Sequence, residues 1–357
     1  MSDFKPIYRA EQLPVFQNRM FDSAQAARDC SKGDVELVQS LQTGLVFNRA
    51  FRPELVEYDH DYQNEQGLSH AFQRHLQEVA GIVERHFKGR SLIEVGCGKG
   101  LFLEQLAMAS FDITGLDPTY EGDNPRVIKQ YFTPQTGLHA DAIILRHVLE
   151  HVQDPYAFLC GLRESNGGKG LIYIEVPCLD WIAQHHAWFD IFYEHVNYFR
   201  LGDFPRIFGR VLESARFFSG QYLYVVADLA SLRTPECGPG DAFELPSDFM
   251  SAIASSRAEL QRGSSKAAVW GGASKGVIFS LFMNRDGAAI DTVIDINPAK
   301  QGKYLAATGI RVSSPQEVVP LLPDGADIFV MNSNYLREIQ EATAFRFNYR
   351  LVEHERL

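Results

Sequence analysis

The residues with the clearest chemical potential lie in one stretch, Ser91 to Asp117, reading SLIEVGCGKGLFLEQLAMASFDITGLD. Glu94 stands near the end of an apolar run, Gly96, Gly98 and Gly100 follow at every second position, and Asp117 closes a second apolar run, Ile113 to Leu116. Glycines lack a Cβ, so such a turn can be sharp and can bring helix-start N–H groups close to a ligand. An acid about 20 residues on, at the tip of the next strand, is placed for two ribose hydroxyls. Dinucleotide sites use G-x-G-x-x-G and aim the helix at a pyrophosphate, whereas here the pattern is E-x-G-x-G-x-G. A carboxylate at the strand end repels a pyrophosphate and suits a ligand with an amine and a sulfonium. The stretch therefore points to S-adenosylmethionine, with Glu94, Gly96, Gly98, Gly100 and Asp117 as contacts.

A second concentration of chemistry is DWIAQHHAWFDIFYEHVNYF, which holds Trp181, Trp188, Tyr193, Glu194, His195 and Tyr198. Apolar residues around Ile191 and Phe192 imply buried surroundings, and a Glu beside a His can tune basicity near neutral pH. His185 and His186 have no ligand spacing and are read as surface residues. Tyr58 and Tyr62, in LVEYDHDYQNEQGLS, sit in a loop-like context that would serve as a lid. Lys275 stands beside a later glycine turn, AVWGGASKG, where an ammonium could meet a phosphate.

These groups need a scaffold that brings them together. Strand patterns at Leu92–Val95, Ile113–Leu116, Ala142–Leu145 and Ile172–Val176 alternate with helical ones, which builds a doubly wound α/β parallel sheet with ligands at the carboxyl ends of its strands. Glu94, Asp117, Arg146, His147 and Pro177 should then face one crevice, with Arg146 and His147 beside the cofactor. Tyr222–Leu229 reads as a final antiparallel strand. The expected organisation is an N-terminal module over 1–75, led into the core by a helix from His70 to Val83, and a cofactor-binding domain over 76–232. A linker with a bridging helix over 233–264 and a second Rossmann-like domain over 265–357 follow.

Composition narrows the function classes. Over 357 residues, 34 basic against 45 acidic side chains give a net charge of −11, which argues against nucleic acid, since phosphate neutralisation needs a basic face. No run of 18 apolar residues occurs and the amino terminus has no signal-peptide pattern, so no membrane partner and a cytoplasmic location are expected. Cys30, Cys97, Cys160, Cys178 and Cys237 are scattered and form no C-x-x-C pair, so they are expected to be buried thiols rather than a disulfide framework or a metal cluster.

In their order, LPVFQN, GLVFNRAF, EVGCGKG, RHVLEHVQDP, FDIFYEHVNYF, AVWGGASKG and DINPAKQGKYLAATGI with MNSNY resemble the S-adenosylmethionine-dependent sugar C-methyltransferases that act on nucleotide-linked 4-keto sugars in deoxysugar biosynthesis. The resemblance implies a class I methyltransferase sheet between an N-terminal zinc module and a C-terminal Rossmann-like domain, with the nucleotide sugar held between the last two. It makes His195 the base that removes a proton beside the keto group, Glu194 its orienter and His151 a substrate or enolate contact. Tyr58 or Tyr62, not separable, is the active-site tyrosine. Tyr193, Phe192, Lys275 and Asn297 are candidate substrate contacts.

Two departures stand out. Ser40-Leu41-Gln42-Thr43-Gly44 occupies the place of the family's C-x-x-C-G, and hydroxyls cannot replace thiolates in a tetrahedral zinc site, so no zinc is expected. Phe192 stands where the family has a tyrosine three residues before the base, which removes one hydrogen-bond donor. Two other classes remain open at this stage: an O-methyltransferase in which His195 deprotonates a hydroxyl, and a non-catalytic S-adenosylmethionine-binding scaffold. The acceptor is expected to be a small molecule; the oligomeric state is not written in the sequence.

Overall fold

A computed structural model describes residues 3–56, 67–262, 267–285, 287, 290 and 292–353. Its centre is a seven-stranded sheet in the order Val211–Phe217, Tyr222–Asp228, Leu171–Pro177, Ala142–Arg146, Ser91–Val95, Asp112–Leu116 and Val127–Ile128. The last five run parallel, and the first two are antiparallel to their neighbours. The chain leaves Ser91–Val95 toward one side of the sheet and returns to Ala142–Arg146 on the other. This reversal opens a crevice at the carboxyl ends, just where Glu94 and Arg146 lie on adjacent strands. The outermost strand, Val211–Phe217, was not expected. It is a half-buried edge strand carrying Glu213 and Arg216 and lacks a clear apolar face.

The helix His70–Phe87 packs on this sheet through Phe72, His75, Leu76, Val79, Ile82, Val83 and Phe87, an apolar stripe at helical spacing. Ser69 caps its start, and the carboxylate of Glu338 takes the Ser69 hydroxyl at 2.9 Å and the Ala71 N–H, a favourable charge at a helix N-terminus.

The N-terminal region is more ordered than its sequence pattern suggested. Phe4–Pro14 pairs antiparallel with Lys32–Ser40, which pairs with Val46–Asn48. Register shifts at Pro6/Tyr8 and Ala10/Leu13 break the alternation of the first strand, which hides it from a period-two reading. The fourth strand of this sheet, Asn197–Tyr198, comes from the loop that carries His195 and pairs with Val46 and Phe47. The turn at 40–44 is held by Ser40 Oγ, which accepts the Thr43 N–H at 3.1 Å, and by the buried Gln39 and Arg200, which donate to the Gly44 carbonyl at 3.0 and 2.9 Å.

A five-stranded parallel sheet, in the order Val312–Ser313, Val293–Ile294, Ala267–Trp270, Asp327–Val330 and Asn348–Leu351, forms the C-terminal part. The helix Ser274–Arg285 places Phe279 and Phe282 at 5.7 and 5.2 Å from the ring of Trp188, so the His195 loop is anchored on this side too. All five cysteines are free, and only Cys178 is fully buried; the other four are half-buried, which corrects the expectation of buried thiols. Among the described residues no helix is long and apolar enough to cross a membrane.

One charge cluster ties helix and sheet together. Glu175 is fully buried and accepts from Arg146 Nε at 2.7 Å, His75 Nε2 at 2.7 Å, His147 Nε2 at 3.1 Å and the Tyr173 hydroxyl at 3.3 Å. Burial raises its pKa, but the Arg146 and His147 charges and these bonds outweigh that and hold it well below the ordinary 4.5. A depressed carboxylate stabilises the fold above its unfolded-state value, and that stability is lost as pH falls through the folded-state value. Glu175→Ala, which leaves buried cations uncompensated, is expected to cost about 3–5 kcal/mol in chemical denaturation near neutral pH; a loss below about 1 kcal/mol, the level of an exposed ion pair, would contradict this role.

Candidate active site

The glycine turn adopts the conformation its composition allows. Gly96, Gly98 and Gly100 have φ of +72°, +54° and +80°, a region that side chains with a Cβ rarely occupy. A Cβ on Gly96 would sit 2.5 Å from Val148 Cγ2, whereas one on Gly98 would meet nothing within 4 Å. The turn is thus packed on one side and open on the other. Asp117 accepts the Gly98 N–H at 2.8 Å, the Thr119 N–H at 2.8 Å and the Thr119 hydroxyl at 2.7 Å. A carboxylate has roughly four lone-pair sites, so one remains for a ligand hydroxyl.

Glu94 is 3% exposed, and one of its carboxylate oxygens is buried with no hydrogen-bond partner. Burial, tempered by Arg146, pushes its pKa from 4.5 up to about 7. An unsatisfied buried acid beside an open glycine turn is what a ligand with a cationic end would complete. The residues present fit S-adenosylmethionine on this observation.

Arg146 and His147 lie at the same crevice, but their charged ends are committed. Arg146 is paired with Glu175 and stacks over the Phe102 ring at 4.6 Å. His147 bridges Glu175 and Glu150, at 3.1 and 3.3 Å, and these carboxylates raise its pKa to about 9 against the effect of burial. The charges of both side chains neutralise buried acids, Glu175 for Arg146 and Glu175 with Glu150 for His147. His147 adopts φ +51°, a strained geometry that its two carboxylate bonds sustain.

His195 is 8% exposed, with its ring 4.1 Å from Phe192, 5.0 Å from His151 and 6.2 Å from Tyr198. Its Nδ1 is buried without a hydrogen-bond partner, and burial together with His151 and His147 holds its pKa well below 6.5. His151 Nδ1 lies 3.0 Å from the Glu194 carbonyl, so Nδ1 carries the proton and Nε2 is the accepting nitrogen of the neutral ring. Burial also lowers the pKa of His151.

Several expectations need correction. The Glu194 carboxylate accepts the Gln17 N–H at 3.1 Å, and His195 Nδ1 has no hydrogen-bond partner, so the structure gives no Glu194 carboxylate bond that orients this ring. In a non-helical loop successive side chains diverge, which separates neighbours in sequence. Tyr193 turns its hydroxyl to the Arg52 backbone, accepting the N–H at 2.8 Å, and its ring fills the space over Gly33. Lys275 is ion-paired with Asp190 at 3.3 Å, donates to Gln221 Oε1 at 3.0 Å and lies over the Trp181 ring at 4.8 Å. Asn297 Oδ1 accepts the Ala299 N–H at 3.0 Å and closes its own turn. His186 is buried against Asp248 at 2.9 Å and His185 is half-buried on Trp181, so neither is a surface residue. Tyr58 and Tyr62 lie outside the described residues.

Two features escaped the sequence reading. Glu150 lies three residues after His147 on the turn Leu149–His151, 1% exposed; a carboxylate oxygen of it, a ring nitrogen of His151 and a ring nitrogen of His195 all lie within 4.8 Å of one another. The spacing H-x-x-E was its only signal. In the C-terminal sheet Asp295 accepts the Gly272 and Asn297 N–H groups at 2.9 and 2.8 Å, the same arrangement that Asp117 makes with Gly98 and Thr119.

Comparison with known proteins agrees with this geometry. Residues 59–211 match the model of a methyltransferase domain. The chain carries an S-adenosylmethionine-dependent methyltransferase domain. Its sheet is the class I Rossmann-like one, and residues 247–348 match a C-methyltransferase C-terminal domain. The C-methyltransferase NovU of Streptomyces niveus is 25% identical over 66% of this chain and 65% of its own length, so the match spans just under two thirds of that relative. A ubiquinone biosynthesis O-methyltransferase of Actinobacillus pleuropneumoniae serotype 7 (strain AP76) is 32% identical over 24% of this chain and 44% of its own length. The solved magnesium protoporphyrin IX methyltransferase of Synechocystis PCC 6803 with bound SAM aligns with 44% of this chain and 80% of its own, at 17% identity and a TM-score of 0.32, too slight a likeness to carry weight.

Within the methyltransferase domain Glu94 is expected to trade stability for binding. Because its folded-state pKa is raised, the ligand-free fold loses stability as pH rises from about 4.5 to about 7. Glu94→Gln is therefore expected to gain on the parent over that window and to keep the gain above it, measured by urea unfolding, while calorimetry reads adenosylmethionine affinity falling at least about tenfold, one charged contact's worth. A variant that binds as tightly as the parent would contradict the assignment.

Proposed function

We propose that the protein methylates a carbon next to a carbonyl, on a nucleotide-linked keto sugar or a similar small acceptor, with His195 as the base. The observation that supports it best is the state of His195: a buried neutral imidazole, walled by Phe192 and facing His151, on the segment downstream of the strand Leu171–Pro177. A neutral ring has the lone pair that a base needs, while burial also weakens it as a base until a charged partner stabilises its imidazolium. The C-methyltransferase C-terminal match and the NovU similarity favour carbon as the methylated atom.

In this reading His195 takes the proton from the carbon beside the carbonyl, and the C–H electron pair delocalises into the carbonyl as an enolate. The bound donor supplies an electrophilic methyl on a positively charged sulfur. With the donor bound, that methyl would be the electrophile the enolate carbon meets, its C–S electron pair remaining with the sulfur, and His195 would release its proton to solvent. Glu94 holds the donor's cationic end, Asp117 its ribose, and the glycine turn gives it close backbone approach. His151, with Nδ1 bound to the Glu194 carbonyl, presents an acceptor and so suits a hydroxyl of the substrate rather than the enolate oxygen. Phe192 offers no hydroxyl, so enolate stabilisation falls to donors other than this ring.

The same acceptor nitrogen on His151 supports a second reading, deprotonation of a substrate hydroxyl and O-methylation. His195→Ala is expected to lower turnover by about 100-fold or more, within the range for general bases, with adenosylmethionine affinity changed less than about threefold. Hydrogen–deuterium exchange α to the carbonyl, followed without the methyl donor, is expected for the parent and absent in the variant. Methylation without any such exchange would favour the oxygen reading.

A further inference from the structure

We propose that Glu150, rather than the adjacent Glu194, is the carboxylate that orients His195 for proton abstraction. The proposal rests on the carbon-acid reading above. Glu194 Oε1, His195 Nδ1 and Glu150 Oε2 are all buried with no hydrogen-bond partner, but among the described residues only the carboxylate of Glu150 groups with the rings of His151 and His195, so the pair that matters is His195 Nδ1 and Glu150 Oε2. One is a potential N–H donor and the other an acceptor, and Glu150 and His195 offer ligand atoms within 4.8 Å of each other. A hydrogen bond between them would remove two desolvation penalties together.

The neighbours leave this pairing as the consistent one. The groups around His195 are His147, Glu150 and His151 from one turn, and Asp190, Glu194 and Tyr198 from its own loop. The Tyr198 hydroxyl is taken by the Phe192 backbone at 2.9 and 3.0 Å and Asp190 by Lys275, while Glu194 gives one oxygen, Oε2, to the Gln17 N–H and its carboxylate falls outside the close group that Glu150 forms with His151 and His195. His151 directs Nδ1 to the Glu194 carbonyl. Glu150 is held in place from both ends: His147 donates to Oε1 at 3.3 Å, and the Glu150 carbonyl accepts the Val196 N–H at 2.8 Å, which couples it to the strand beside His195. With Nδ1–H directed at Glu150, Nε2 is left as the lone pair that meets the carbon acid, and the imidazolium formed on proton transfer is stabilised by the carboxylate. Glu150 is thus a positioning residue.

The same three side chains, Glu150, His151 and His195, could hold a divalent ion. The imidazolium of His147 on Glu150 makes the position unfavourable for a second cation.

The test uses the full chain with 15N-labelled histidine, with His195→Asn identifying the signal. The parent is expected to carry the His195 proton on Nδ1; a proton on Nε2 overturns the proposal with no variant needed. Glu150→Leu is expected to abolish that preference and Glu150→Asp to retain it, with melting temperature reporting the fold. In turnover, the base must be deprotonated, so loss of the carboxylate moves the acidic limb of the rate profile to lower pH. Glu150→Gln is expected to move it by about one unit and to lower kcat on the order of 100-fold, with KM changed less than about threefold. An unmoved limb, or activity that rises with added Zn²⁺ or Mn²⁺ and disappears with chelator, overturns it. Should no keto acceptor be methylated by the parent, the functional reading fails, while the NMR arm still decides whether Glu150 orients the ring.

Discussion

The arrangement of the site depends on a buried anion. Glu175, at the carboxyl end of a central strand, takes one bond each from Arg146, His147 and His75. Removing such a charge from water is costly unless it is matched on all sides, and the matching fixes what surrounds it. His75 locks the helix His70–Phe87 onto the sheet. His147 sits in a left-handed backbone conformation, and the turn that follows carries Glu150 and His151 to the ring of His195. Structural electrostatics and the candidate catalytic geometry are thus successive links of one chain.

The His195 loop is held from three directions. Asn197–Tyr198 completes the N-terminal sheet, Trp188 stacks on the C-terminal helix, and Asp190 pairs with Lys275 across the same boundary. A base carried on an irregular segment needs such support, because positioning within about 0.5 Å decides its efficiency. The turn at 40–44 shows the same economy: the buried amide of Gln39 and guanidinium of Arg200 hold it through hydrogen bonds.

Most of the fold was legible in the sequence. The glycine turn, its flanking acids and the alternating strands announced themselves because they depend on local geometry, and the four parallel strands read from the sequence lie within the observed Ser91–Val95, Asp112–Leu116, Ala142–Arg146 and Leu171–Pro177. The first strand, Phe4–Pro14, was not legible because its bulges interrupt the alternation. Within the site the histidines were legible, but the groups that surround them were not. Adjacency of Glu194 and His195 implied a pair that an irregular backbone separates. The fates of Lys275 and Tyr193 depend on Asp190 and on the space over Gly33, contacts between distant parts of the chain that no local pattern encodes. Glu150 was passed over because a lone acid on a short turn looks like a solvated residue until its burial is known.

The central claim is that this site joins a methyl group to carbon. The most direct measurement is the carbon NMR spectrum of the product formed from methyl-13C adenosylmethionine and a panel of nucleotide-linked keto sugars. The account predicts a labelled methyl that shows one-bond carbon–carbon coupling when the sugar is also labelled. A methoxyl signal without that coupling would contradict it.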